Sequence, residues 1–408
     1  MNAGRTVLLV GTLDTKGDEY AYLRDRLRLG GADVLVADVG TGGAPHGCEP
    51  DIPREEVAAA AGVDLAALTE AGDRGAAVTA MADAAAVLAR RLHGEGAIHG
   101  ILAAGGSGNT AIATRAMQAL PVGVPKLMVS TMAAGDTREY VGVADICMMA
   151  SVTDVAGINS ISAQILANAA AAMAGMVQAP PVEVQDERPL VAATMFGVTT
   201  PCVTHAREAL EARGYEVLTF HCTGIGGRAM EALVESGFVG GVLDATTTEL
   251  CDELVGGVLS AGPDRLEAAG AKGIPQVVSL GALDMVNFGA RDTVPPQFED
   301  RNLYVHNPTI TLMRTTPEEC AELGRRVARK LSAATGPVAL FVPLGGVSMI
   351  DAEGQPFHDP DADAALFEAL RADLGDNVEL VEMDCNINDE AFATAMAEKL
   401  DGYLAAAR

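Results

Sequence analysis

The sequence predicts an α/β protein of two Rossmann-like lobes, each a mostly parallel sheet flanked by helices, with a cleft between the lobes. Three observations predict it. Short runs rich in Val, Leu and Ile, apolar on both faces, alternate with longer helical stretches, as in a sheet covered by helices on both sides. The alternation is interrupted once, at 179–189 (APPVEVQDERP), and then restarts. Matching segments recur in the two halves: GADVLVADVGTGG at 31–43 beside GYEVLTFHCTGIGG at 214–227, and PKLMVS at 125–130 beside PQVVS at 275–279.

In order, the apolar runs predict strands at 6–10, 34–39, 100–104 and 126–129, with helices at 18–29, 75–92 and 109–120. A helical insertion is expected near 50–90. The apolar stretch 158–177 contains Asn159, Gln164 and Asn168, which favours a buried helix over a membrane span. Prolines and charges at 179–189 mark a linker, which divides the chain into lobes at 1–180 and 188–408. Strands then follow at 190–195, 216–221, 239–244, 275–279, 338–342 and 378–383. Helices are expected at 203–213, 228–236, 249–260, 317–333, 364–374 and 389–406. The last but two begins with Thr316-Pro317-Glu318-Glu319, a capping box with proline at the first helical position.

Composition narrows function. Of 408 residues, 55 are Asp or Glu and 28 are Lys or Arg, a net charge of −27. So acidic a chain repels nucleic acid and acidic membrane surfaces. With 49% hydrophobic and 20% charged residues it buries a large core and is not disordered. Aromatic residues make up only 4%, so Ala, Val, Leu and 45 Gly must build that core with close helix–sheet packing. Seven scattered cysteines without CxxC spacing fit reduced thiols and give no zinc pattern. No secretory signal is visible at the start, and the expected location is cytoplasmic.

Chemistry is expected at glycine-rich turns that follow strands and open helices. Gly105-Gly106-Ser107-Gly108, followed by Asn109-Thr110, leaves backbone amides free to meet a phosphate, with Ser107 or Thr110 adding a hydroxyl. It is neither a Walker A loop nor a dinucleotide fingerprint. Gly11-Thr12-Leu13-Asp14-Thr15-Lys16-Gly17 places a single cation, Lys16, among hydroxyls and a carboxylate. Gly40-Thr41-Gly42-Gly43 is the third such turn. Three turns on one rim of one sheet point to a nucleotide or phosphate ligand. Arg74, at a helix start, opposes the helix dipole, and either a phosphate or a neighbouring Asp would justify it. In the second lobe His221, Arg228, Glu249, Asp284 and His306 sit at predicted strand ends, as acid–base groups or as contacts to a small anionic substrate. No ligand spacing there supports a metal.

Read together, these motifs resemble uncharacterised protein family 0261, the family of the N-terminal ATP-binding domain of the tomato mosaic virus resistance protein. The segments that carry the resemblance are Gly11 to Gly17, Ala104 to Thr110, His221 to Glu231, Asp244 to Glu249, Ser279 to Gly289 and Gly346 to Asp351. The resemblance spans the chain. It implies two α/β subdomains, ATP in the first, with Mg²⁺ as a candidate companion, and a homodimer. Carried over, the ATP contacts are Asp14, Thr15, Lys16, Thr41, Arg74 and Gly105, Gly106, Ser107 and Gly108. One departure is Gly345, where family members often carry a basic residue. Three readings stay open: an ATP-binding protein with an unassigned site between the lobes, a metabolic enzyme acting on an anionic substrate, and a regulatory module that inhibits a protein partner. Neither a hydrolytic base nor paired carboxylates for Mg²⁺ stand out.

Overall fold

The structure, a computed structural model, describes residues 5–180 and 188–407. These form two compact units. The expected linker falls largely on residues 181–187, which lie outside the described residues.

In the first unit the elements are β1 (Thr6–Gly11), α1 (Leu13–Leu29), β2 (Asp33–Asp38), α2 (Arg54–Ala60), α3 (Leu65–Ala71), α4 (Arg74–Gly94), β3 (Gly100–Gly105), α5 (Ser107–Gln118), β4 (Lys126–Ser130), α6 (Arg138–Val141), β5 (Cys147–Ala150) and α7 (Ser160–Gln178). The strands form one parallel sheet in the order β2-β1-β3-β4-β5. Strands β1, β3 and β4 are buried along almost their whole length because helices cover both faces. α1 and α7 lie on one face, over Leu9, Leu102 and Val129. α2, α4 and α5 lie on the other, over Leu8, Ile101 and Met128. The chain therefore changes face between the β1–α1–β2 crossover and the β2–α4–β3 crossover. The switch leaves β1 and β3 as neighbours whose connections run in opposite directions. Ligand sites of open α/β sheets form at such a point, beyond the strand C-termini.

α7 is, among the described residues, the one helix long and apolar enough to cross a membrane. It packs one face on the sheet through Leu166, Ala169, Ala170, Met173 and Val177. Asn159 and Ser162 cap its start reciprocally.

The second unit holds β6 (Leu190–Met195), α8 (Thr200–Glu211), β7 (Glu216–His221), α9 (Ile225–Glu235), β8 (Gly241–Thr246), α10 (Glu249–Val255), α11 (Ala268–Lys272), β9 (Gln276–Gly281), β10 (Met285–Phe288), β11 (Leu303–Asn307), β12 (Ile310–Arg314), α12 (Pro317–Ser332), β13 (Val338–Pro343), α13 (Pro360–Asp373), β14 (Val378–Met383) and α14 (Glu390–Ala406). Six strands form a parallel sheet in the order β14-β13-β9-β8-β6-β7. Read from the other edge, β7-β6-β8-β9-β13 repeats the first unit's β2-β1-β3-β4-β5. The matching segments at 125–130 and 275–279 fall on the fourth strand of each repeat.

Some expectations need correction. α1 begins at Leu13, five residues early, because Thr12 serves as its N-cap and the helix bends at Lys16 (φ −129°, ψ 18°). α10 stops at Val255 because Gly256 takes a left-handed conformation (φ 93°) that ends the helix. The short strand β5 and the antiparallel sheet β10-β12-β11 were not foreseen. The capping box at Thr316 is present, with Thr316 and Glu319 bonded reciprocally.

α12 and α13 approach so closely that a Cβ at Gly324 would lie 2.5 Å from the Leu366 carbonyl oxygen and 3.0 Å from the Leu370 nitrogen. Gly→Ala inside a helix ordinarily stabilises by about 1 kcal/mol. Here Gly324→Ala is expected to destabilise by about 1–3 kcal/mol through overpacking. Denaturant unfolding checks this, and a gain in stability would contradict the close approach.

Candidate functional site

At the switch point of the first unit the sheet comes apart. The β1–β3 ladder runs Val7↔Gly100, Leu8↔Ile101 and Leu9↔Leu102 and then stops. Beyond it the Tyr20 hydroxyl, from α1, occupies the fork. It donates to Val10 O at 2.5 Å and accepts from Ala104 N at 2.9 Å and from Asn109 Nδ2 at 2.9 Å. Burial pushes its pKa well up, so it stays a phenol that can donate. Gly11 is glycine for this ring, since a Cβ there would meet three Tyr20 ring atoms at 2.3–2.6 Å.

The open fork leads to a cavity of about 520 Å³. Three helices begin at it: α1, α4 and α5. The N-cap of α5 is Gly106, which has no side chain to cap the first-turn N–H groups. Thr12, Thr15, Thr41, Ser107 and the Gly106–Gly108 turn give the cavity a polar wall, and Leu68, Ala77, Val78 and Ile112 give it an apolar one. Lys16 and Arg74 both border it. Among the described residues neither side chain has a hydrogen-bonding or ion-pairing partner. Asp73, the neighbour that would have justified Arg74, instead caps α4 by accepting from Ala76 N at 3.0 Å.

Eight of the nine expected nucleotide contacts therefore line one space; the ninth, Gly105, is buried at the end of β3 just beneath the turn. Their roles differ. Asp14 holds the third turn in place, with its Oδ2 accepting from Gly42 N at 2.8 Å. Gly40 and Gly42 are glycines because a Cβ on either would sit 2.7–2.8 Å from that carboxylate. Thr110, read as a spare hydroxyl, is instead committed to Gly106 O and Ser130 Oγ. Asp38, at the end of β2, was not foreseen. Its Oδ1 accepts from Leu13 N and Gly40 N and so ties the Gly11–Gly17 turn to the Gly40–Gly43 turn, and burial raises its pKa. Asn109 was read only as part of the turn. Its Nδ2 faces Tyr20, Ala104 O and Val10 O, which fixes the amide, and its buried Oδ1 has no donor. The spacing of Gly11 from Tyr20 was the available signal, and nothing local marks it.

The second unit treats its five expected catalytic residues differently. Glu249 is wholly buried and is spent on structure. It accepts from Gly224 N, Gly227 N and Arg265 Nε. Arg265, also wholly buried, binds Asp244 through two nitrogens at 2.6 and 2.7 Å and reaches Glu231 at 3.2 Å. Burial opposes its charge, but these carboxylates hold its pKa well above the usual value. Thr199 and Thr246 close the adjoining gap, with hydroxyls 2.7 Å apart. So at the end of β8, the counterpart of β3, a buried guanidinium binds the carboxylates.

Asp284 is also buried. Its Oδ2 accepts from Ser348, its Oδ1 has no partner, and burial raises its pKa. His221, Arg228 and His306 are exposed. His221 packs its ring 5.5 Å from Phe196, Arg228 donates to Gly224 O, and His306 lies on the edge strand β11. No hydrogen bond or ion pair joins any two of the five among the described residues. Gly345 has no room for a side chain, because a Cβ there would lie 2.8 Å from the Cys385 carbonyl carbon. Among the described residues no cluster of three or more His, Cys, Asp or Glu side chains is placed to hold a metal ion.

These features define a protein of two doubly wound α/β units, with a nucleotide-sized cavity at the switch point of the first. The chain belongs to the uncharacterised protein family UPF0261: residues 5–181 match its N-terminal domain and 188–404 its C-terminal domain. It is 54% identical to a UPF0261 protein of Clostridium tetani over 97% of this chain and 98% of that protein. It is 39% identical to the ToMV resistance protein Tm-1(GCR237) of Solanum lycopersicum, over 96% of this chain and 55% of that protein. Among solved structures, a UDP-GlcNAc 2-epimerase from Neisseria meningitidis bound to UDP-GlcNAc aligns over 90% of this chain and all of that one, at 10% identity. Its TM-score of 0.23 is too low to carry weight.

Two predictions follow from the second unit's buried charges. Arg265→Leu leaves Asp244, Glu249 and Glu231 without their cation and is expected to cost about 3–5 kcal/mol of that unit's stability. A loss below about 1 kcal/mol on denaturant unfolding would contradict the network. Asp252, buried against Asn287, has its pKa raised to about 7 by burial. A raised carboxylate favours the folded state when protonated. Its stabilising contribution is therefore full below about pH 4 and is lost as pH rises through about 7. Asp252→Asn should flatten the fall of melting temperature between pH 5 and 8, and unchanged slopes would contradict the assignment.

Proposed function

We propose that the first unit binds a nucleotide, ATP foremost, with its phosphates on the Gly106–Gly108 turn beside Lys16 and Arg74 and its base on the wall of Leu68, Ala77, Val78 and Ile112. The observation that carries this reading is one cavity that joins an uncapped helix N-terminus, two unpaired cations and an apolar wall. Uncapped N–H groups and the helix dipole favour an anion. The apolar wall suits a flat heterocycle better than inorganic phosphate alone. The choice of ATP among nucleotides rests on the family resemblance of the turn motifs. The chain's charge of −27 excludes extended polyanions but not a small one held by local donors.

In the second unit, Glu249 is engaged by Arg265, and His221, Arg228 and His306 stand on the surface. Binding is thus the proposed activity, with the nucleotide as ligand or as one substrate.

ATP at a hundred times its Kd, with or without Mg²⁺, should stabilise the protein by about 2.7 kcal/mol, seen as a rise in melting temperature. Lys16→Ala and Arg74→Ala should each lose most of that rise. A panel of ATP, GTP, UTP and their diphosphates sets the base preference. No rise with any of them at millimolar concentration, in either metal condition, would overturn the reading. Binding should also weaken only gently with salt, unlike the steep dependence of a protein that neutralises many phosphates.

A further inference from the structure

Tyr20 does more than a buried tyrosine needs. One partner would satisfy a phenol in a core. This hydroxyl touches four polar atoms, and all belong to residues that flank the turns of the nucleotide cavity. Val10 precedes Gly11. Ala104 precedes Gly105. Asn109 ends the Gly105–Gly108 turn and borders the cavity itself. The hydroxyl also sits where the β1–β3 ladder would otherwise continue, since pairing ends at Leu9↔Leu102. It takes the Ala104 N–H and the Val10 carbonyl that a continued sheet would have to pair elsewhere.

We propose that Tyr20 is a positioning residue for phosphate binding, its hydroxyl holding the β1–β3 fork open and setting, through Asn109, the turn on which the ligand's phosphates rest. The proposal rests on the nucleotide reading above. It assigns Tyr20 no contact with the ligand. Phenylalanine keeps the ring that Gly11 accommodates but removes the hydroxyl, leaving Ala104 N and Asn109 Nδ2 without their shared acceptor. Buried groups that lose a partner shift or admit water, and either response moves the Gly106–Gly108 N–H groups. The link runs through the Asn109 amide, whose orientation is fixed because Nδ2 faces the acceptors Val10 O and Ala104 O.

The test compares Kd values for ATP and for inorganic tripolyphosphate, measured by calorimetry well below each variant's melting temperature. Tyr20→Phe should raise both at least about tenfold, and by similar factors, because the phosphate turn is what moves. Asn109→Leu should do the same. The double variant should lose little more than either single one, since both cut one link. Val57→Ala, on the buried face of α2, serves as a control that lowers melting temperature without changing Kd. If Tyr20→Phe fails to fold, Asn109→Leu decides the question. The proposal is overturned if Tyr20→Phe, or in its absence Asn109→Leu, binds tripolyphosphate within twofold of the wild-type protein, or no worse than the control. It is also overturned if the two losses simply add. A wild-type protein that binds neither probe instead refutes the nucleotide reading, so the two failures are distinguishable.

Discussion

In the first unit the two strands that meet where the crossovers change face pair over only three residues, and one buried phenol takes up the backbone groups just beyond. Tyr20 takes the backbone groups of Val10 and Ala104 just past the last β1–β3 pair. The consequences run outward from there. Gly11 must lack a side chain to admit the ring. Asn109 is held against the hydroxyl, so α5 starts at a set place with a glycine cap and unsatisfied N–H groups. Asp38 and Asp14 then brace the Gly11–Gly17 and Gly40–Gly43 turns against each other. The cavity is what remains between these braces.

The second unit repeats the strand order but resolves the same point differently. Thr199, in the segment after β6, bonds Thr246 at the end of β8, and Arg265 binds Asp244 beside it. The carboxylates around it serve the fold. The two halves therefore share a strand order but differ at this point: the first unit has a cavity there, and in the second the nearby carboxylates bind Arg265. Fold and site are separable in this way because ligands depend on the loops at strand ends, not on the sheet beneath them.

Much of this was legible in the sequence. Strands of continuous Val, Leu and Ile stand out by composition and length, and the glycine turns that follow them are local signals. Arg74 was legible by anomaly, as a cation at a helix start. What stayed hidden depends on contacts between distant residues. Glu249 looks like a free acid beside three threonines, and its partner Arg265 lies sixteen residues on, past the end of α10. Tyr20 reads as an ordinary core residue of α1, since its hydroxyl partners Ala104 and Asn109 are more than eighty positions away. β10 has four residues and is set apart from β11 by irregular chain, while β11 and β12, joined by a two-residue turn, have five each, too few for periodicity to mark them.

One nucleotide is proposed to bind per chain, at the open switch point of the first unit. A crystal structure of the full chain grown with a non-hydrolysable ATP analogue tests it most directly. The expected result is a single nucleotide with phosphate oxygens within hydrogen-bonding distance of the Ser107 and Gly108 N–H groups and of Lys16. A nucleotide seated in the second unit, or phosphates turned away from the Gly106–Gly108 turn, would contradict it.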